Sequence, residues 1–157
     1  MTQNLNQTAP VTIDARGPRF TAGITFVVLS LALLTHSTFL IGFQMLVFAI
    51  AAFIGLKKSP YGIIYRKLVQ PRLSGPVPLE DQRPPRFAQL VGFGFALVAF
   101  IGAITGAKAV FLVATSFAIV AAFLNVAFGF CLGCQMYLIH VEELGVSPSL
   151  LTHVVQP

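Results

Sequence analysis

The sequence is poor in charge and contains no tryptophan. Charged residues make up 10% of its 157 residues, whereas a typical soluble domain has about 25%. Hydrophobic residues make up 56%, and the mean hydropathy is +0.84. A chain of this length suits one domain, and one small water-soluble domain could not bury so much apolar surface. The composition therefore predicts an all-α integral membrane protein.

Several functional motifs are also absent from the sequence. It has no phosphate-binding loop, no Ser-His-Asp set and no paired carboxylates, so no hydrolase or transferase site is predicted. No acidic or basic residue interrupts the apolar runs, which argues against a proton-coupled pump or an ion transporter. No cofactor is predicted, and the net charge of +5 indicates membrane orientation rather than nucleic-acid binding. Gln44 lies inside an apolar run and is expected to hydrogen-bond to a neighbouring helix.

Four apolar runs predict four transmembrane helices, because about 20 apolar residues cross a bilayer and lipid offers the backbone no hydrogen-bond partners. Short polar links join the first run to the second and the third to the fourth. Such links predict two tandem helical hairpins packed as a four-helix bundle. The first run is short and is expected to extend into its flanks. The runs are 20–34, 38–56, 87–106 and 109–130.

The domain organisation follows from these runs. We predict a flexible cytoplasmic tail and then a single membrane domain over 14–145. Within the polar central loop, Ser59 and Pro60 are typical of a helix start, which predicts a short interfacial helix over 59–69 before an irregular, proline-stiffened stretch. The predicted parts are the tail 1–13, hairpin one 14–56, the loop 57–86, hairpin two 87–130, and the Cys-x-x-Cys pair with the C-terminal tail over 131–157.

The distribution of lysine and arginine predicts the orientation. Nine of the 10 Lys and Arg residues lie before the first apolar run or in the central loop, and Lys108 alone lies on the other side. Positive loops stay in the cytoplasm, so both termini are predicted to be cytoplasmic. We therefore expect a multi-pass protein of the bacterial inner membrane, in contact with lipid.

A short motif occurs twice. The segment 14–20 and the segment 81–87 share Asp, two Arg, Pro and Phe at the same positions, and each stands before a predicted hairpin. This indicates a duplicated two-helix unit with both copies in the same orientation. In this motif, Asp can cap the first turn of the helix, and Arg can anchor the helix at the cytoplasmic lipid headgroups. The alternative is a cytoplasmic anion site, because Arg recognises phosphate-like oxygens well. The residues proposed for anion or headgroup binding are Arg16, Arg19, Arg83 and Arg86.

Cys131 and Cys134 are the only cysteines, and they lie where the fourth run meets the cytoplasm. Two thiols at this spacing can form a disulfide, exchange with a partner, bind a metal or pack inertly. Reactivity needs the thiolate, which the start of a helix favours and the end of a helix does not. Gly129 and Gly133 leave open whether a new helix begins at Cys131. A closed zinc site would need two more ligands, of which His140 could supply one.

The run Gly129-Phe130-Cys131-Leu132-Gly133-Cys134, with the duplicated Asp-x-Arg-x-x-Arg-Phe motif, resembles the bacterial membrane family called domain of unknown function 4395. The resemblance covers about residues 12–140. Its members are often encoded beside thioredoxin-like and sulfurtransferase proteins, so the resemblance implies thiol or sulfur chemistry. We therefore predict a membrane thiol-disulfide or sulfur-relay protein with catalytic Cys131 and Cys134 and a soluble thioredoxin-like or sulfurtransferase partner. Thiol oxidoreductase is the one enzyme class that the sequence suggests.

Two other functions remain open from the sequence. A small transporter of a sulfur compound would suit duplicated hairpins, but four helices are few, so it would need a homodimer. A structural anchor could recruit soluble partners and bind a metal through the cysteines, shared across such a dimer. Uptake that survives loss of both cysteines would favour the transporter, and bound metal after anaerobic purification would favour the anchor.

Overall fold

The computed structural model describes residues 11–144, which form six α-helices and one pair of short strands. The N-terminal tail before Val11 and the C-terminal tail after Leu144 lie outside the described residues. The elements are β1 Thr12–Asp14, α1 Arg16–Thr35, α2 Thr38–Ala49 with a wide π-helical turn Ile50–Ile54, α3 Pro60–Ile64 with a second π-helical turn Tyr65–Val69, β2 Leu79–Asp81, α4 Arg83–Thr105, α5 Lys108–Phe128 and α6 Leu132–Glu143.

Three of these helices are long and apolar enough to cross a membrane, as a membrane protein requires. They are α1 with 20 residues, α4 with 23 and α5 with 21. The prediction that the first run borrows from its flanks is confirmed, because α1 begins at Arg16 and ends at Thr35. The second run forms a shorter apolar helix, Thr38–Ile54. Ser37 begins it, accepting a hydrogen bond on its hydroxyl from the Leu40 N–H.

The four longest helices pack around a common core. The helix α1 contacts α2 and α5, and α4 contacts the same two helices, so the four close into a ring. Small residues let the helices approach closely. At Gly102 in α4, an added Cβ would lie 2.7 Å from the backbone nitrogen of Phe111 in α5. The buried core cluster consists of Leu29, Ile41, Ala99, Phe111, Ala114 and Ala118.

The outward faces of these helices are apolar as well. In each of the three long helices, only 17% to 28% of the most hydrophobic stretch is buried inside the protein. Large side chains such as Val27, Phe39, Ile104 and Phe117 are exposed. A water-soluble protein seldom leaves an apolar surface of this extent uncovered, so these faces are suited to lipid.

Two polar side chains, Gln44 and Thr115, lie fully inside the helical ring. Gln44 in α2 is completely buried, and its amide nitrogen donates to the Thr25 hydroxyl of α1 at 3.3 Å. Its amide oxygen accepts from the Tyr61 hydroxyl at 2.8 Å. The predicted interhelical hydrogen bond of Gln44 is therefore confirmed, and a second bond ties α2 to the central segment. Within an apolar interior, such bonds fix how neighbouring helices meet.

The sheet corrects two predicted boundaries. Thr12 and Ile13, assigned to the flexible tail, belong to β1, which pairs antiparallel with β2. The central loop, predicted to be irregular from residue 70 to 85, contains β2 and the first turn of α4. Ile13 is buried, and it pairs with Glu80 across the ribbon. Both corrections have one cause, since each strand finds its hydrogen-bond partner 67 residues away, beyond the reach of local sequence patterns.

The central segment contains the predicted short helix, and its position at a membrane interface stays a prediction. Pro60 occupies its first turn, and the helical path continues through the π-helical turn to Val69. Tyr61 and Tyr65 are buried against the protein body, while Lys67 and Leu68 are exposed. The buried tyrosines hold this segment against the helical bundle.

Candidate thiol site

The two cysteines lie at the start of a new helix. The helix α5 ends at Phe128, and Gly129 takes a left-handed conformation with a φ of 66° that turns the chain. Cys131 has an extended backbone and is the N-cap residue of α6, and Cys134 lies in the first turn. The structure therefore answers a question that the sequence left open. The thiols stand at a helix N-terminus, where the helix dipole favours an anion.

Close packing holds this helix start against α4. Gly133 is buried, and an added Cβ there would lie 2.5 Å from the Cα of Ala88 and 2.6 Å from its Cβ. The rings of Phe87 in α4 and Tyr137 in α6 also contact each other, with centroids 5.8 Å apart. The position between the two cysteines therefore has room for glycine only, and this contact sets the distance between the cysteines and α4.

The two thiols are free in the structure, both are half-buried, and their pKa values are shifted in opposite directions. The Cys134 thiol lies beside the Cys131 sulfur and lowers the pKa of Cys131 by donating a hydrogen bond to its thiolate. The N–H groups of Gly133 and Cys134 add to this effect, although neither contact has the geometry of a capping hydrogen bond. The pKa of Cys134 is raised, first by that same hydrogen bond and then by burial. Cys131 is thus the stronger candidate nucleophile.

An acidic side chain from the ribbon also faces the pair. The negative charge of Glu80 raises the pKa of both cysteines. Partial burial, and then the nearby Asp81 carboxylate, raises the pKa of Glu80 itself. Glu80 is the central residue of β2, and the sequence analysis did not identify it. No local signal marks it, because the strand pairing and the contact between α4 and α6 bring it near the cysteines.

A metal site has little support within one chain. Among residues 11–144, no group of three or more His, Cys, Asp and Glu side chains is placed to bind a metal ion. His140, the additional ligand considered from the sequence, is exposed and lies near the other end of α6. A closed site would therefore need ligands from outside the described residues.

The four motif arginines do not share one environment. Arg19 donates from Nε to the carbonyl of Val126 at 3.1 Å, near the end of α5. Arg86, its counterpart in the second copy of the motif, donates to the carbonyls of Ala52 and Phe53 near the end of the second helix, at 2.5 and 2.7 Å. Each of these arginines thus caps a helix end in the other half of the chain.

The other two arginines stay closer to the ribbon. Arg16 donates to the Pro76 carbonyl at 3.1 Å, and Arg83 lies 3.8 Å from the Asp81 carboxylate. The predicted role of the aspartates is confirmed. Asp14 and Asp81 accept from the first N–H of α1 and α4, at 3.0 and 2.9 Å. Anion or headgroup binding by the arginines stays a prediction.

Replacing Arg86 with alanine is expected to destabilise the protein substantially. The change removes two charge-assisted hydrogen bonds to helix-terminal carbonyls. The bond to Ala52 is partly buried and is worth about 1.5–3 kcal/mol, whereas the bond to Phe53 is exposed and contributes less. Thermal unfolding of purified protein in a neutral detergent measures the effect. Arg83→Ala is the matched control, because an exposed ion pair contributes about 0–1 kcal/mol. Equal losses of stability in the two variants would contradict the capping role of Arg86.

Comparison with known proteins places the chain in an uncharacterised group. The family model described as domain of unknown function (DUF4395) matches residues 13–141. No curated protein and no solved structure matches the chain.

Proposed function

The chain belongs to DUF4395, a family defined by a domain of unknown function, and we propose that it is a membrane protein that exchanges thiols or sulfur through Cys131 and Cys134. One observation carries this proposal. Two free, partly accessible thiols stand at a helix N-terminus, and the hydrogen bond between them shifts their pKa values in opposite directions. Such a difference separates an attacking thiolate from a resolving thiol.

The proposed exchange has two steps. The Cys131 thiolate attacks one sulfur of a disulfide in a soluble thioredoxin-like partner, which forms a mixed disulfide and releases the other partner sulfur as a thiolate. Cys134 then loses its proton and attacks the Cys131 sulfur. The products are a Cys131–Cys134 disulfide and a partner with two reduced sulfurs. Two electrons pass to the partner. Its two thiolates take up one proton from Cys134 and one from the solvent, which replaces the proton that Cys131 lost on ionising. The reverse sequence would oxidise the partner.

A sulfurtransferase partner would use the first cysteine in a related way. The Cys131 thiolate would attack the outer sulfur of the partner's persulfide, forming a persulfide on Cys131 and releasing the partner's cysteine as a thiolate. Cys134 could then attack the inner sulfur of that persulfide, releasing hydrosulfide and forming the same disulfide. Both versions depend on a nucleophilic Cys131 and a protonated Cys134.

We also propose four membrane crossings, arranged as two hairpins with both termini in the bacterial cytoplasm. The apolar helix Thr38–Ile54 has 17 residues, the lower limit for a crossing. It packs between α1 and α4, which are both long enough to span. The links at His36–Ser37 and Gly106–Ala107 contain two residues each. This arrangement gives the cysteines access to a soluble cytoplasmic partner.

The experiment is a redox titration of the pair in native membranes. Membranes are equilibrated with poised thiol-disulfide buffers, free thiols are alkylated, and the two cysteines are counted by mass shift. We expect one two-electron transition, which either Cys131→Ser or Cys134→Ser abolishes. In the Cys134→Ser variant, a mixed disulfide with the buffer thiol should accumulate on Cys131. Thiols that stay reduced at every redox potential of the buffer would contradict the proposal. Uptake of a sulfur compound and metal-dependent anchoring stay predictions without such support.

A further inference from the structure

A cavity of about 300 Å³ opens beside the central segment, away from the thiols. Its walls come from β1, the start of α1, the residues after α2, and α3 with its π-helical turn. The volume reaches the lower end of the range for small-molecule sites, about 300–1,000 Å³. Neither cysteine lines the cavity, and none of the four motif arginines does. It is therefore a second candidate site that the thiol chemistry does not use.

The charges lining this cavity favour an anion. Lys57 and Arg66 line it, both are exposed, and neither forms an ion pair within residues 11–144. The one carboxylate that lines it belongs to Asp14. That carboxylate already accepts the Tyr65 hydroxyl at 2.7 Å and the Arg16 N–H at 3.0 Å. These hydrogen bonds occupy Asp14, so the two cations remain available to a ligand.

The remaining walls combine polar groups with apolar surface. Gln70 and Gln89 line the cavity with amide groups that have no hydrogen-bond partner in the described part of the chain. The apolar part of the lining comes from Ile13, Ala51 and Leu56, all buried. A ligand with a charged head and an apolar substituent fits these walls, because the head contacts the polar groups and the substituent contacts the apolar side chains.

The backbone around the cavity is also unusual. Two π-helical turns, Ile50–Ile54 and Tyr65–Val69, adjoin it. The first contributes Ala51 to the lining, and the second contributes Tyr65 and Arg66. Such turns are rare and occur frequently at functional sites. Gly62 permits the close approach between these segments, because an added Cβ there would collide with the Leu56 carbonyl oxygen. The cavity is thus built into the fold by specific backbone features.

We propose that this cavity binds a phosphate ester that carries an apolar substituent. Lys57 and Arg66 would contact the phosphate, and Ile13, Ala51 and Leu56 would contact the substituent. The guanidinium of Arg suits phosphate oxygens geometrically, and Lys adds a mobile point charge. The same chemistry occurs in an anionic lipid headgroup and in a small soluble ester. This site is independent of the thiol exchange proposed above.

The test uses two double variants of the full chain. K57A/R66A removes the two cavity cations, and K58A/K67A removes two exposed lysines one position away that do not line the cavity. Each double variant loses two positive charges from the same segment, so the general attraction of the protein to an anionic surface falls equally in both. One arm measures hexyl phosphate binding to detergent-purified protein by calorimetry, with hexanol and methyl phosphate as controls. The other arm counts phosphatidic acid retained from nanodiscs by native mass spectrometry, with phosphatidylcholine as the control lipid.

We expect K57A/R66A to weaken binding at least about tenfold, since it removes charge-assisted contacts, and K58A/K67A to change it less than about twofold. Binding of hexyl phosphate would identify a small ester, whereas retention of phosphatidic acid alone would identify a lipid. Three results would overturn the proposal: equal effects of the two double variants, hexanol binding as tightly as hexyl phosphate, or no binding in either arm. Thermal unfolding of both variants verifies that they remain folded.

Discussion

At pH 7, iodoacetamide is expected to alkylate Cys131 faster than Cys134, because a lower pKa leaves a larger fraction of a thiol as the reactive thiolate. The pKa of Cys131 is lowered by the neighbouring thiol, and that of Cys134 is raised. A lowered pKa keeps the thiolate present at lower pH. The Cys131 rate should therefore level off at a lower pH than the Cys134 rate. Peptide mass spectrometry after timed alkylation over pH 5–10 measures both rates.

Substitutions at Cys134 test whether its thiol causes the pKa difference between the two cysteines. Cys134→Ala removes the hydrogen-bond donor, so the pKa of Cys131 should rise and its alkylation rate at pH 7 should fall. Cys134→Ser keeps a donor and should have a smaller effect. All three proteins should converge at a pH above both pKa values, because Cys131 is then fully ionised in each. Equal rates for Cys131 and Cys134 across the whole pH range would remove the basis for assigning the nucleophile.

Replacing Gly133 with alanine is expected to displace the start of α6 from α4. The added Cβ would lie 2.5 Å from the Ala88 Cα, and backbone at this distance cannot give way as a flexible side chain does. Overpacking of this kind costs about 1–3 kcal/mol or more. The variant should unfold at a lower temperature in detergent. It should also lose the difference between the two alkylation rates, since α4 no longer holds the helix start that positions both thiols.

Gly94→Ala is the matched control. Gly94 lies in α4, and an added Cβ there would meet nothing within 4 Å. Alanine favours a helix over glycine by about 0.5–1 kcal/mol, so this variant should be as stable as the parent or slightly more stable. Its alkylation rates should not change. A Gly133→Ala protein that matches Gly94→Ala in both measurements would show that the close contact with Ala88 is not needed.

The long helices could be predicted from the sequence because their formation in lipid is a local matter. Apolar length and the demand for internal hydrogen bonds dictate α4 and α5, whose observed bounds differ from the predicted runs by only a few residues. The duplicated motif also revealed the helix starts. Asp14 and Asp81 act at equivalent positions, as their spacing suggested. The family resemblance rested on contiguous residues and was confirmed.

The surroundings of the thiols could not be predicted in this way. The sequence identified Cys131 and Cys134, but their pKa difference depends on where α6 begins. It also depends on Glu80, which is 51 positions before Cys131 in the chain. The packing of Gly133 on Ala88 joins two helices that are not consecutive. Each of these features arises from a tertiary contact, and a single sequence contains no local pattern for such contacts.

The crossed arginine contacts have a consequence for biosynthesis. The helix-terminal carbonyls of Ala52 and Phe53 are made before Arg86, so they have no arginine partner when the first half of the chain leaves the ribosome. Arg19 is made early but must wait for Val126, which lies 107 residues later. Insertion can therefore begin with the first half, but the polar pairing of the two halves is complete only after Val126 has been made. A ribosome that stalls between them would release a half-protein with unsatisfied helix ends, a substrate for membrane quality control.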